Sequence, residues 1–149
     1  MNRWSPRVTV ATVIPRDDRF LLVEEDRGGP VSVFNQPAGH LEPGERLIEA
    51  ARRETREETA WDVAITAYLG LYIFTAADGL VFHSHGFIAR PRAAHETPLD
   101  DGILGTHWLR LEEIESLAQE GRLRSSLVLT RVRDYGAGRR FPLSVIREA

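Results

Sequence analysis

Apolar positions open the chain in the spacing of strands. Residues 7–14, RVTVATVI, form a β-branched run charged only at its first position, as expected of a strand buried on both faces. PRDDR (15–19) reads as a turn and FLLVEE (20–25) as a second strand, so a hairpin is predicted. DRGGP is a loop and VSVFNQ (31–36) a short strand. PAGHLEPGE (37–45), with two glycines and two prolines, is predicted to be irregular. From Arg46 to about Thr59 there is neither Gly nor Pro, and a helix is expected. Two β-prone stretches, VAITAYLGLYIFTA (63–76) and LVFHSHGFIAR (80–90), flank a turn at Asp78 and Gly79 and predict a second hairpin. PRAAHETPLDDG is a polar connection and THWLRL (106–111) a last short strand. LEEIESLAQE is a helix, and SSLVLTRVRDYGAG a final helix that Gly136 and Gly138 end. Strands on both sides of a central helix predict an α/β (α+β) chain, a mixed β-sheet packed between α-helices, as one domain over residues 1–149.

Composition narrows the chemistry. The net charge is -3, so nothing pulls the whole protein toward nucleic acid or an anionic membrane, and an anionic ligand must be held locally. The absence of cysteine excludes disulfides, thiolate metal sites and cysteine nucleophiles; a metal would need oxygen or imidazole ligands. No segment approaches the ~20 apolar residues of a membrane helix and the N-terminal stretch carries no leader pattern, so a cytoplasmic protein is expected.

The charge concentrates in the central helix. At about 100° per residue, Leu47, Ile48, Ala51 and Thr55 share one side, while Glu54, Glu57 and Glu58 spread over about 100° of the neighbouring side. Glu49, Arg52 and Arg56 lie on the far side, where surface ion pairs account for them. Three carboxylates at three- and four-residue spacing repel one another, and a hard divalent cation would turn that repulsion into affinity.

The spacing from Gly39 through Glu45 to Arg53, Glu54, Glu57 and Glu58 resembles the Nudix box, the signature of hydrolases that act on nucleoside diphosphates linked to another group. Ala60 stands where that family usually has glycine, and Thr55 where it usually has a larger aliphatic residue. A left-handed alanine costs about 1 kcal/mol, so the exit from the helix is expected to follow a slightly different path. The preceding FNQPAGHLE, and more weakly LRSSLV and YGAGRRFPL, resemble the NudJ-type phosphatases within the family. These remove phosphate from nucleoside tri- and diphosphates and from a thiamin-pyrimidine pyrophosphate.

The resemblance implies a Nudix fold and a Mg²⁺ site, with Mn²⁺ as the alternative. Its ligands would be Glu54, Glu57, Glu58 and the carbonyl of Ala38, with Gly39 and Glu45 in support and Arg53 orienting Glu54 or Glu57. Glu54, Arg53 and Glu57 would carry the catalysis. The general base is open among Glu54, Glu96, Asp100, Asp101 and His107. A nucleobase or pyrimidine needs a flat apolar partner and polar groups for its edge. Phe34, Asn35 and Gln36 are the candidates by position, then Tyr72 or Phe74. His83 and His85 share one strand face. Trp61 and Trp108 are expected in the core, and Arg124, Arg139 and Arg140 could meet a phosphate. The expected partner is a small nucleotide or pyrophosphate, bound by a monomer or homodimer. An ADP-sugar or dinucleoside polyphosphate pyrophosphatase is the competing activity. A binding module that has lost catalysis is disfavoured because every charged position of the box is present.

Overall fold

A computed structural model describes residues 2–149. Two four-stranded sheets organise it. The first is mixed and joins β1 (Arg7–Val13), β5 (Ala38–His40), β6 (Trp61–Thr75) and β7 (Val81–Ala94) in the order β5-β1-β7-β6. β1 runs parallel to β7, and the other two pairings are antiparallel. The second is antiparallel: β3 (Arg19–Glu25) pairs along its whole length with β8 (Ile103–Arg110), and also with β2 (Pro15–Arg16) and β4 (Val33–Asn35).

The predicted first hairpin is therefore corrected. β1 and β3 belong to different sheets, joined where the Ile14 carbonyl accepts the Leu21 amide at 3.0 Å, and the tight hairpin is β2–β3. The apolar run of β1 explains the difference. Val10 packs with Ala50, Ala51 and Phe87, whereas Val13 packs with Leu69, Tyr72 and Ile88. A strand covered on both faces is central, and its neighbours here come from elsewhere in the chain. The second hairpin, β6–β7, forms as expected but runs longer, through Pro91, which sits beside a bulge at Asp62/Val63. PAGH, expected to be irregular, contributes β5, because β1 offers it a pairing edge at Thr9–Ala11.

The helix α1 (Leu47–Thr59) covers one face of the mixed sheet. Ala50 and Ala51 are fully buried and let its backbone approach the sheet closely. Thr55 lies on this buried side, and its hydroxyl is satisfied by the Ala51 carbonyl at 2.8 Å. Ala60 ends the helix in the left-handed conformation (φ 60°, ψ 21°), its amide bonded to the Arg56 carbonyl. The alanine thus takes up the glycine-like geometry itself, and the altered exit expected from the sequence does not occur. Helices α2 (Leu111–Gln119) and α3 (Leu127–Gly136) pack against the second sheet through Leu22, Phe34, Ile114, Val128 and Val132. Leu127 and Tyr135 of α3 also reach the mixed sheet, so α3 bridges the two.

Candidate active site

The exposed edge of α1 and the β5 segment meet at one end of a cleft of about 650 Å³ between the sheets. Glu54, Glu58, Ala38 and Gly39 line the cleft together with Asn35, Phe74, Phe82 and Ser84, and its other charged lining residues are the acidic Glu25, Glu42 and Asp78 and the basic Arg27, Arg124 and Arg131.

Arg53 organises the carboxylates. Its Nε and Nη2 donate to the two oxygens of Glu45 at 2.6 and 3.0 Å, its Nη1 to Glu54 at 2.8 Å and Glu57 at 3.1 Å, and its Nη2 also to the His40 carbonyl at 3.1 Å. The fork of a guanidinium suits it to hold several acceptors at fixed angles. The Arg53 hydrogen bonds hold the Glu45 carboxyl below its ordinary pKa. Glu54 shifts the other way despite the same partner: burial raises it most, and Glu57 and Asp100 add repulsion. A side-chain carbon at Gly39 would overlap the Glu54 carboxylate and push it from its place.

Glu58 is the most enclosed of the three helix glutamates. Its Oε1 accepts the Ala38 amide at 2.8 Å, and burial, reinforced by Glu25, Glu54 and Asp100, pushes its pKa up to about 8. Oxygens of Glu54, Glu57 and Asp100 lie within 4.8 Å of one another. Asp100 arrives from the polar connection before β8, its amide bonded to the Glu57 carbonyl at 3.0 Å. An all-oxygen donor set crowded with like charge, one member half-buried and opposed in its ionisation, fits a hard divalent cation.

A NUDIX domain model matches residues 5–131.

The chain belongs to the NUDIX family.

It is 38% identical over 144 residues to the phosphatase NudJ of Escherichia coli K12 and of Shigella flexneri, a span covering 96% of this chain and 92% of those proteins. The solved NUDIX hydrolase from Nitrosomonas europaea is 39% identical, with a TM-score of 0.92 over 97% of this chain and 98% of that one. An Ap4A hydrolase from C. elegans, 22% identical with a TM-score of 0.69 over 89% of this chain and 96% of that one, shares the fold alone. The protein has the NUDIX fold and is a hydrolase acting on pyrophosphate bonds.

Of the NUDIX box residues, Gly39, Glu54 and Glu58 line the cleft, while Arg53 ties Glu45 and Glu57 to Glu54 beside it. The other candidates divide. Asn35 and Phe74 line the cleft, but Phe34 points into the core between β4 and α2/α3, its ring 5.5 Å from that of His107. Gln36 is buried, bonded to the Val128 carbonyl at 2.8 Å and to Arg131. Tyr72 belongs to the core behind the cleft, and its hydroxyl donates to Asp134 at 2.8 Å. Phe34, Gln36 and Tyr72 are thereby removed from direct contact with a ligand in the cleft. His107 is held by Glu24 at 2.9 Å and His85 by the Tyr68 hydroxyl at 2.9 Å, and neither lines the cleft, nor does His83. Glu96 and Arg140 are exposed outside it. Asp101 does not line it either, and Arg139 is tied to the Leu69 carbonyl at 3.0 Å. Trp61 and Trp108 are partly buried and meet edge to face at 5.9 Å.

Sequence reasoning missed Phe82, which pairs across the hairpin with Phe74 and gives the cleft an aromatic wall. It also missed Arg131. The available signal was an arginine interrupting the apolar stripe Val128, Val132, Tyr135 of the last helix.

Among the described residues no helix is long and apolar enough to cross a membrane.

Proposed function

We propose that this NUDIX hydrolase is a Mg²⁺-dependent phosphohydrolase, with Mn²⁺ as an alternative metal, that releases phosphate from nucleoside tri- or diphosphates or a related small pyrophosphate. The observation that carries the reading is the clustering of Glu54, Glu57 and Asp100 oxygens beside Glu58, with Glu54 and Glu58 lining a cleft that also holds Phe74, Phe82 and the arginines Arg27, Arg124 and Arg131. The 38% identity to the phosphatase NudJ over nearly the whole chain supports release of phosphate over cleavage into two nucleotides.

Glu54, Glu57, Glu58 and Asp100 would hold the cation. When bound, it would neutralise phosphate oxygens and increase the acidity of an attacking water. The chain's own residues set the geometry. Arg53 fixes Glu54 and Glu57 relative to Glu45, so the carboxylates enter the reaction already oriented. Glu54, held by Arg53 at the cleft, would take the proton of water at its carboxylate oxygen. The Ala38 carbonyl would add an oxygen to this donor set, and its amide anchors Glu58. Phe74 and Phe82 offer flat surface to a base and Asn35 a polar group for its edge.

The test is phosphate release with Mg²⁺ and with Mn²⁺ from nucleoside tri- and diphosphates, a thiamin-type pyrophosphate and ADP-ribose, with products separated by chromatography. Orthophosphate as the product is expected. Cleavage of ADP-ribose alone would replace this reading with an ADP-sugar pyrophosphatase. In the same assay Glu57→Gln should abolish turnover at saturating substrate while circular dichroism remains native; turnover comparable to wild type would remove Glu57 from the site.

A further inference from the structure

Two arginines with little exposure, Arg53 beside the helix carboxylates and Arg131 in the cleft lining, differ in what surrounds them. Arg53 is ringed by carboxylates. Arg131, on α3, is 5% exposed, and among the described residues no carboxylate pairs with it. Its Nη1 donates to Gln36 Oε1 at 3.1 Å and its Nη2 to Ser84 Oγ at 2.9 Å, both neutral groups, while its Nε has no partner. The nearest acidic side chain along its helix, Asp134, already accepts the Tyr72 hydroxyl. Arg131 and Ser84 line the same cleft as Glu54 and Glu58.

A buried guanidinium without a counter-ion is costly, and neutral hydrogen bonds offset only part of the cost. Burial lowers its pKa to about 10, which leaves it charged at neutral pH. Its contacts restrain the group: Gln36 is itself tied to the Val128 carbonyl and Ser84 lies in β7, so the fork is held between the segment after β4 and the mixed sheet. Only two of the five N–H donors are engaged by those contacts.

We propose that Arg131 is a substrate-binding residue whose guanidinium, positioned by Gln36 and Ser84, receives a phosphoryl oxygen, either of the substrate's phosphate chain or of the phosphate released from it. A desolvated positive charge facing a cleft is matched by an anion brought from outside the chain, and phosphoryl oxygen suits the fork geometry. The inference rests on the pyrophosphate-hydrolase reading of the cleft. Arg124, exposed at the same cleft, adds positive potential on the approach.

The experiment has a binding arm and a kinetic arm. In EDTA, with no turnover, inorganic phosphate is titrated into wild type, Arg131→Met and Arg131→Lys, and the unfolding midpoint is followed. Wild type should be stabilised, Arg131→Lys less so, and Arg131→Met not at all. With Mg²⁺ and ADP, loss of a charge-assisted hydrogen bond should raise KM about tenfold or more, with kcat changed far less and Mg²⁺ affinity unaltered. A raised KM with an unchanged inhibition constant for inorganic phosphate assigns Arg131 to the substrate chain; a raised inhibition constant assigns it to the released phosphate. Wild-type KM, phosphate inhibition and phosphate stabilisation in both variants would overturn the proposal. If Arg131→Met does not fold, the same comparison on Arg131→Lys, which keeps charge but loses the fork, decides it. If wild type turns over no nucleotide yet phosphate stabilises it through Arg131, the substrate reading fails and the anion site stands.

Discussion

Replacing Glu58 by Gln removes a buried carboxylate whose ionisation the fold opposes, while the side-chain oxygen that accepts the Ala38 amide is kept. The ordinary value of 4.5 is pushed up to about 8. Between those two pH values the folded protein holds a proton that the unfolded chain has lost, so metal-free stability falls as pH rises through that window. At about 1.36 kcal/mol per pH unit, the gap of roughly 3.5 sets a ceiling of ~5 kcal/mol above pH 8. Water entering the open cleft stabilises the ionised carboxylate, so roughly 2 kcal/mol is expected in practice. Urea unfolding in EDTA at pH 4.5 and pH 8.5 measures it, with a slope near 2 kcal/mol/M giving a midpoint about 1 M higher for Glu58→Gln at pH 8.5. At pH 4.5 the midpoints should nearly coincide. Added Mg²⁺ should reverse the order at pH 8.5, because the cation stabilises the wild-type carboxylate and has less to bind in the variant. A stability difference independent of pH, or a metal-free variant less stable than wild type at pH 8.5, would refute the argument.

Arg53→Lys keeps the charge but loses the fork that joins Glu45 to Glu54 and Glu57, and kcat/KM should fall about 10- to 100-fold, with little change in thermal midpoint; steady-state kinetics decide. Gly39→Ala places a methyl group against the Glu54 carboxylate, and Mg²⁺ affinity by calorimetry should drop at least as much as activity. Ala60→Gly relieves a left-handed alanine and should stabilise the fold by up to about 1 kcal/mol in urea unfolding, with activity within a small factor of wild type. Asp100→Asn should weaken Mg²⁺ binding more than it raises KM for the nucleotide, since Asp100 meets Glu54 and Glu57; the reverse pattern would place Asp100 with the substrate.

The sequence by itself determined whatever is set within a few residues. A helix over 47–59 follows from uninterrupted helix formers, and its 3.6-residue repeat puts Glu54, Glu57 and Glu58 on one side and Thr55 on the other. The β6–β7 hairpin follows from two β-prone runs around a single turn. Spacing along α1 also brought Arg53 within reach of Glu57, because one turn of helix is all that separates them.

The tertiary structure decided what depends on contacts between distant segments. PAGH has little strand character of its own and becomes β5 because β1 presents an open edge. Alternation made Phe34 and Asn35 face opposite ways, but only the packing of α2 and α3 determined that Phe34 is the core residue and Asn35 the one at the cleft. Asp100 joins the carboxylates through a backbone bond to Glu57, 43 positions away by their numbers. Arg131 reaches Gln36 across 95 residues and Ser84 across 47, distances over which no local periodicity carries information. A helix turn or a strand alternation is fixed by covalent geometry, whereas a cleft between two sheets exists only after burial has selected which faces meet.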